Sequence, residues 1–400
     1  MISVKEAFST ILEHIEVLPT EKCALNMAVG RVLRNDILAD RDLPPYDRVM
    51  MDGIAAKSEA FIKKGPLTLK IVGNQSAGAV AKKISEKDTC LEIATGAVLP
   101  DGADIIVPVE EITTDGKTAT IDEGFEAIPR RYVHGKGTDC ERGELLLKEG
   151  DILGAKEIAV AASCGAAEVL VSSRPRVAII STGDELVDID QIPQPHQIRR
   201  SNSHSLAAAL EASGLGFSKL YHFPDELDAV REGLATILSS SEVLILSGGV
   251  SKGKKDYLPG ALADLGVQKV FHWVAQRPGK PFWFGLGSSG QPVFALPGNP
   301  LSALTCFHRY VLPALRSMAA QVLVSPVELV LGGDYTFRPP LTCFLPVRLE
   351  NKGGPSEVLP DPAGNSGDFA GILGTDGFVE LSAEPTEFSR GEIVPFWPWL

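Results

Sequence analysis

The sequence predicts a multidomain α/β-plus-β protein: a central doubly wound α/β domain, a β-rich N-terminal half and a small β-rich C-terminal piece. Three observations carry this reading. From Val177 to Met318, apolar runs of strand length alternate with stretches of helical spacing, as in a parallel sheet with crossover helices. From about Asp36 to Val171, short β-branched runs are separated by Gly, Pro and Asp turns. After about Gln321 the alternation stops and short β-like pieces suggest a small β-barrel or sandwich. A chain of 400 residues has room for about two to four domains.

The elements follow in order. Val4, Ala7, Phe8, Ile11, Leu12 and Ile15 fall at helical spacing and predict a helix over 4–17. Strands are expected at 67–72, 90–94, 104–109 and 118–121, then a helix within the small-residue stretch 150–164 and a strand at 168–171. The Ser-Ser-Arg-Pro-Arg hinge at 172–176 marks a boundary. Val177–Ile180 is continuously apolar, as expected of a parallel strand buried on both faces. Helices are expected at 203–213, 226–239 and 300–318, and further strands at 217–222, 243–246, 269–274 and 293–296.

Composition narrows the function. A net charge of −13 argues against a nucleic-acid binder, which shows a basic face, yet it admits an anionic substrate where cations are concentrated locally. With 44% hydrophobic and 22% charged residues the chain is not disordered. Its 39 glycines and 28 prolines exceed the average share of about 12% and put weight on turns and backbone-built loops. No uncharged apolar run reaches the roughly 18–20 residues of a membrane span. The N-terminus lacks a signal peptide's basic start and apolar block, so a cytoplasmic protein is expected. Cys23, Cys90, Cys140, Cys164, Cys306 and Cys343 form no CxxC pair and read as free thiols. Neither HExxH nor a Walker A loop occurs.

Three loops should meet at one sheet edge. Val177–Ile180 runs into Ser181-Thr182-Gly183-Asp184-Glu185, and Val243–Leu246 into Ser247-Gly248-Gly249-Val250-Ser251-Lys252-Gly253. Val293–Leu296 runs into Pro297-Gly298-Asn299-Pro300, directly before a helix. Ligands of open parallel sheets bind outside the strand C-termini, where glycine lets the backbone come close and helix starts suit phosphate. One such loop is more often geometric; three in one domain point to a site. Lys252, Lys254 and Lys255, and then Arg277 and Lys280, are basic islands that suit a phosphate or oxyanion, with a solvated surface as the alternative. Asp184, Glu185 and Asp256 would repel an anion unless a hard cation bridges them, which points to Mg²⁺; capping and loop solvation are the other reading. Two N-terminal stretches, Asp42–Asp47 leading to Met51-Asp52-Gly53 and Thr95–Asp104, are turn-dense; singly, each reads as a hairpin connection.

Together these motifs resemble the molybdopterin molybdenumtransferase family, the MoeA proteins and the E domain of gephyrin. The matching pieces are PPYD…MDG at 44–53, TGAVLPDGAD at 95–104, STGDEL at 181–186, SNS at 201–203, SGGVSKGKKDY at 247–257, PGKP at 278–281 and LPGNPLSA at 296–303. The resemblance runs nearly the full length. It implies a discontinuous elongated first domain (1–45 and 140–174), a β-rich second domain (46–139), an α/β domain of the molybdopterin-binding type (175–321) and a C-terminal β-barrel (322–400). It also implies a homodimer whose site lies between the α/β domain of one subunit and the second and fourth domains of the other. The implied reaction is insertion of molybdate into adenylylated molybdopterin with release of AMP, assisted by Mg²⁺.

Carried over by position, Asp52, Glu185, Asp256 and Lys280 are the implied catalytic residues, and Asp52, Glu185 and Asp256 the implied Mg²⁺ ligands. Thr95, Ser181, Thr182, Gly183, Asp225, Ser247, Gly248, Gly249, Ser251, Arg277, Pro297, Gly298 and Asn299 would hold the pterin and phosphates. Asp139 sits roughly at another family aspartate. Arg48, Val49 and Met50 replace the family's small polar lead-in to MDG, Lys252 is added to GGVS, and Trp273 stands where a lysine is common. Two other readings remain: the molybdopterin adenylyltransferase, whose catalytic domain resembles 176–320 and which could otherwise be a partner, and a non-catalytic gephyrin-like scaffold.

Overall fold

The computed structural model describes residues 1–400 except 63–65, 250–257, 352, 354–355, 363–366 and 369. The chain divides into two compact units: residues 35–148 with 155–168, and residues 1–34, 149–154 and 169–400. Among the described residues no helix is long and apolar enough to cross a membrane. The six cysteines are free thiols, and all but Cys23 are buried.

Helix α1 (Val4–Glu13) begins with a capping box: Ser3 accepts from the Glu6 amide, and the Glu6 carboxylate accepts from the Ser3 N–H. Val4, Ala7 and Ile11 form its buried stripe. It stops short of residue 17, with Pro19 ahead disfavouring helical backbone at Leu18.

The β-rich unit holds β1 (Gly53–Ala56), β2 (Leu67–Gln75), β3 (Thr89–Ile93), β4 (Ile105–Pro108), β5 (Ile112–Thr114) and β6 (Thr118–Ile121). They form one sheet in the order β4-β1-β3-β2-β6-β5, antiparallel except for β2 against β3. Alternate residues of β1 feed two cores: Ile54 and Ala56 pack with Leu69 and Val107, and Ala55 packs with Val49, Leu91 and Ile106. The expected helix within 150–164 is α2 (Ala155–Ser163), in this unit, while residues 149–154 belong to the other.

The larger unit contains β7 (Arg176–Thr182), α3 (Ser201–Ser213), β8 (Phe217–Phe223), α4 (Leu227–Leu238), β9 (Val243–Ser247), α5 (Leu258–Asp264), β10 (Gln268–His272), β11 (Trp283–Leu286) and β12 (Pro292–Leu296). The sheet order is β8-β7-β9-β12-β11-β10. Its first four strands are parallel; β11 runs antiparallel to β12, and β10 antiparallel to β11, so β10 points the same way as the first four. The sequence reading missed two of these elements. α5 is short, and β11 follows a proline in an aromatic run whose Phe282, Trp283 and Phe284 are all buried. Helices α1 and α3 pack on one sheet face with Ile179, and α4 and α5 on the other with Ile180, which is why β7 is apolar throughout. Each fully buried aliphatic side chain contributes roughly 1.5–3 kcal/mol.

The single helix expected over 300–318 is α6 (Pro300–Cys306), a π turn (Phe307–Val311) and α7 (Leu312–Met318). Pro313 lacks an N–H and would clash with the carbonyl four residues back; the wider turn relieves both problems. Strands β13 (Val327–Leu331), β14 (Thr342–Glu350), β15 (Glu357–Pro360), β16 (Gly377–Leu381) and β17 (Ile393–Pro398) follow. They close in the order β14-β15-β13-β17-β16 and back to β14, a five-stranded barrel filled by Leu331, Leu345, Val347, Val358, Val379 and Phe396. The choice between barrel and sandwich is therefore settled for the barrel. Gln276–Arg277 adds to β14 as a short parallel strand.

Candidate functional site

In the β-rich unit, the two motifs that singly looked like hairpin connections are bonded to one another. Val49 N–H donates to Ala97 O at 2.9 Å, Gly96 N–H to Val49 O at 2.9 Å and Leu99 N–H to Asp47 O at 2.9 Å. The Asp52 carboxylate accepts from the Thr95 N–H at 2.6 Å. That amide, followed by the Thr95 side chain, holds the Asp52 carboxyl below the usual range, so it stays ionised. Gly53 is required here: its φ is +148°, and a Cβ would stand 2.0 Å from Val107 O. Nearby, Asp47 takes a bidentate ion pair from Arg130 at 2.9 and 2.7 Å, and Arg130 is the chief cause of its lowered pKa.

The Arg48 departure also has a place. Its guanidinium donates to His134 Nδ1 at 2.9 Å, and His134 Nε2 lies 2.8 Å from Asp139 Oδ1. Arginine can only donate, so Nδ1 accepts and Nε2–H points to Asp139, one consistent tautomer. Trp273 takes φ +73°, stacks on His272 at 4.8 Å, and uses its backbone to bond Ile2 and Phe282.

At the α/β edge, register sets the three loops level: Ser181 pairs with Ser247, and Ser247 with Leu296. The loops are joined as well as adjacent. Gly248 N–H donates to Leu296 O at 3.1 Å, and Asn202 Nδ2 donates to Ser247 Oγ at 2.9 Å and to Gly298 O at 2.7 Å. A Cβ on Gly249 would lie 3.0 Å from Thr182 Oγ1. Glu185 folds back over Gly183, where a Cβ would meet its Oε2 at 2.6 Å. Asp184 accepts from the Asp225 N–H at 3.0 Å, so the carboxylate of Asp184 ties two loops together. Asn202, in the SNS motif at the start of α3, carried no role in the sequence reading.

Beside the third loop lies a cavity of about 480 Å³ lined by Arg277, Lys280, Arg338, Asn299, Ser302 and Tyr335, among others. Among its described lining residues there is no Asp or Glu, in a chain of net charge −13. Burial pushes the Tyr335 phenol and the Cys343 thiol each up to about 12, so both wall groups are neutral. The three cations set the charge. Arg338 escaped the sequence reading because it belongs to the C-terminal region, far along the chain from the PGKP loop.

The expected residues are thus distributed. Ser181, Thr182, Gly183, Glu185, Asp225, Ser247, Gly248, Gly249, Pro297, Gly298 and Asn299 stand on the bonded edge loops of the larger unit, and Arg277 and Lys280 line its cavity with Pro297 and Asn299. Asp52 and Thr95 pair in the β-rich unit. Ser251, Lys252, Lys254, Lys255 and Asp256 lie outside the described residues. Among the described residues no group of three or more His, Cys, Asp or Glu is poised to hold a metal.

A doubly wound sheet with joined glycine loops at its carboxyl edge and a cationic cavity beside them is of the class that takes anionic ligands. Three family models match the chain: MoeA N-terminal region (domain I and II) over residues 2–165, probable molybdopterin binding domain over 178–317, and MoeA C-terminal region (domain IV) over 328–399. A molybdopterin molybdenumtransferase of Synechocystis sp. is 39% identical, covering 100% of both chains. One of Staphylococcus aureus is 30% identical over 98% of this chain and 94% of its own. A crystal structure of a molybdopterin biosynthesis MoeA protein from Pyrococcus horikoshii OT3 has a TM-score of 0.81 at 26% identity, covering 100% of both chains. The chain belongs to the MoeA family.

Proposed function

We propose that the protein is a molybdopterin molybdenumtransferase that inserts molybdate into adenylylated molybdopterin and releases AMP. The observation that carries this is the cavity of Arg277, Lys280 and Arg338, with no acid among its described lining residues, beside joined glycine loops in a chain of net −13. Two kinds of anion must be held, an oxyanion and a phosphate-linked pterin. The cavity suits the compact oxyanion. The loops at 181–185, 247–249 and 297–299 let a backbone approach phosphates closely. Lys280 and Arg277 would neutralise charge that develops as the phosphate bond opens; orienting the attacking oxygen is the role the family resemblance gives Asp52, which the β-rich unit holds ionised.

Mg²⁺ fits the donor chemistry. Asp52, Glu185 and Asp256 would offer hard carboxylate oxygens, and Thr95 holds Asp52 ionised. These carboxylates would hold Mg²⁺, which would supply charge neutralisation for the anionic substrates. The four-domain division 1–45 with 140–174, 46–139, 175–321 and 322–400, a homodimeric state, a cytoplasmic location and substrate supply by a molybdopterin adenylyltransferase belong to the same reading. The matched MoeA N- and C-terminal regions favour it over the adenylyltransferase itself.

The test is AMP release from adenylylated molybdopterin by the purified protein with molybdate and Mg²⁺. AMP formation dependent on molybdate is the expected result, and its absence under all metal conditions sinks the reading. Tungstate in competition measures the oxyanion preference.

A further inference from the structure

Beneath the PGKP loop lies a buried polar cluster in a core that is mostly apolar. Gln276, Cys306 and Tyr310 are each 0% exposed. Tyr310 Oη donates to Gln276 Oε1, and Gln276 Nε2 donates to Cys306 Sγ at 3.4 Å. Burying an amide and a phenol costs free energy that apolar side chains of the same volume would avoid, so packing alone does not call for them. What they touch is the loop. Gly279 takes φ +92°, and a Cβ there would stand 2.5 Å from Gln276 Nε2 and 2.6 Å from Cys306 Sγ, so the loop backbone rests directly on this pair. The loop closes on itself through Val274 N–H to Lys280 O at 3.0 Å and Phe282 N–H to Gly279 O at 3.1 Å. Tyr310 sits in the π turn and stacks on Phe282 at 4.8 Å, which fixes the direction of its hydroxyl.

We infer that Tyr310 is a positioning residue for the oxyanion cavity: its hydroxyl locks the Gln276 amide, which seats the 277–280 loop and aims Arg277 and Lys280 into the cavity. This rests on the proposed reading of the cavity. Without the hydroxyl, Gln276 loses the side-chain donor to its Oε1 and can rotate, and Gly279 loses a fixed seat.

The experiment uses full-length protein, molybdate as the probe, and two variants. Tyr310→Phe is expected to weaken molybdate binding by calorimetry about fivefold and to raise the KM for molybdate in AMP release to match. Its kcat at saturating molybdate should stay within about twofold. Leu234→Ala, on α4 in the opposite core, is the control for general loosening and should leave the molybdate Kd within twofold even where it lowers Tm more. The inference is overturned if Tyr310→Phe binds molybdate like the wild type, or if Leu234→Ala weakens binding equally. If the wild type neither binds molybdate nor releases AMP, the functional reading fails instead. Positioning is then decided by amide exchange: faster exchange at 276–282 in Tyr310→Phe but not in Leu234→Ala supports it, and equal exchange ends it.

Discussion

The Asp52 cluster and the cationic cavity solve the same problem, holding a charged group in place, by different means. In the β-rich unit, backbone does most of the work: Asp52 is held by the Thr95 amide, and the flanking loops by main-chain bonds to one another. In the larger unit, the loop that carries Arg277 and Lys280 rests on buried side chains, Gln276, Cys306 and Tyr310. Backbone-built sites depend on where a Cβ can fit; side-chain-built sites depend on partners chosen far away in sequence. The two should therefore fail in different ways.

The sharpest way to break the first is Gly53→Ala. The added methyl would collide with Val107 O, and we expect a loss of about 4 kcal/mol or more in the urea unfolding of the β-rich unit. A loss under about 1 kcal/mol would show that the strand end shifts freely. Next, Asp52→Asn keeps an acceptor for the Thr95 amide, so Tm should move by no more than about 2 °C, while AMP release falls about 10²-fold or more. Near-normal turnover would remove Asp52 from the chemistry.

Acid separates the two regions. His308, 2% exposed, sits in the π turn with Nδ1–H donating to Leu304 O, while Nε2 accepts from Leu400 N–H; burial pushes its pKa down to about 4. Between its unfolded value near 6.5 and that folded value, the unfolded chain binds a proton the folded chain refuses. Stability is thus present above 6.5 and lost as pH falls, by roughly 2–3 kcal/mol near pH 4.5. Asp47 shifts in the same direction, its folded pKa depressed by Arg130, but its window lies lower: its contribution is present above the ordinary 3.8 and lasts until pH falls through the lowered value. Amide protection, measured against the intrinsic exchange rate at each pH, should be lower at pH 5 than at pH 7 around α6 and α7 and unchanged around Asp47. His308→Gln should flatten the difference, and a uniform loss of protection would contradict it. A smaller effect is expected for Arg338→Ala, about tenfold weaker molybdate binding, or about 1.4 kcal/mol, shrinking further with added salt. Unchanged affinity would place the oxyanion elsewhere.

These regions also mark where sequence reading stops. The edge loops of the α/β sheet were legible because a continuously apolar strand ending in Ser-Thr-Gly or Ser-Gly-Gly leaves few alternatives to a buried strand and an open loop. Asp52 was legible through MDG, but its bond to Thr95 was not, since each motif alone is a plausible turn. Arg338 and Tyr310 gave no local signal. One lies in a short stretch of β texture, and the other sits within a helical pattern where an aromatic reads as core. The π turn was hidden for the same reason, because periodicity over 300–318 tolerates one extra residue.

Strand β14 has a further consequence. Thr342 and Cys343 ladder onto Gln276–Arg277, while the rest of the strand closes the barrel. An anion held by Arg277 is therefore thermodynamically linked to the barrel's closure. At a hundred times its Kd, such a ligand adds about 2.7 kcal/mol to the folded state. An anion bound at Arg277 would therefore make the barrel harder to open, and its removal would leave the barrel the easier target for a protease.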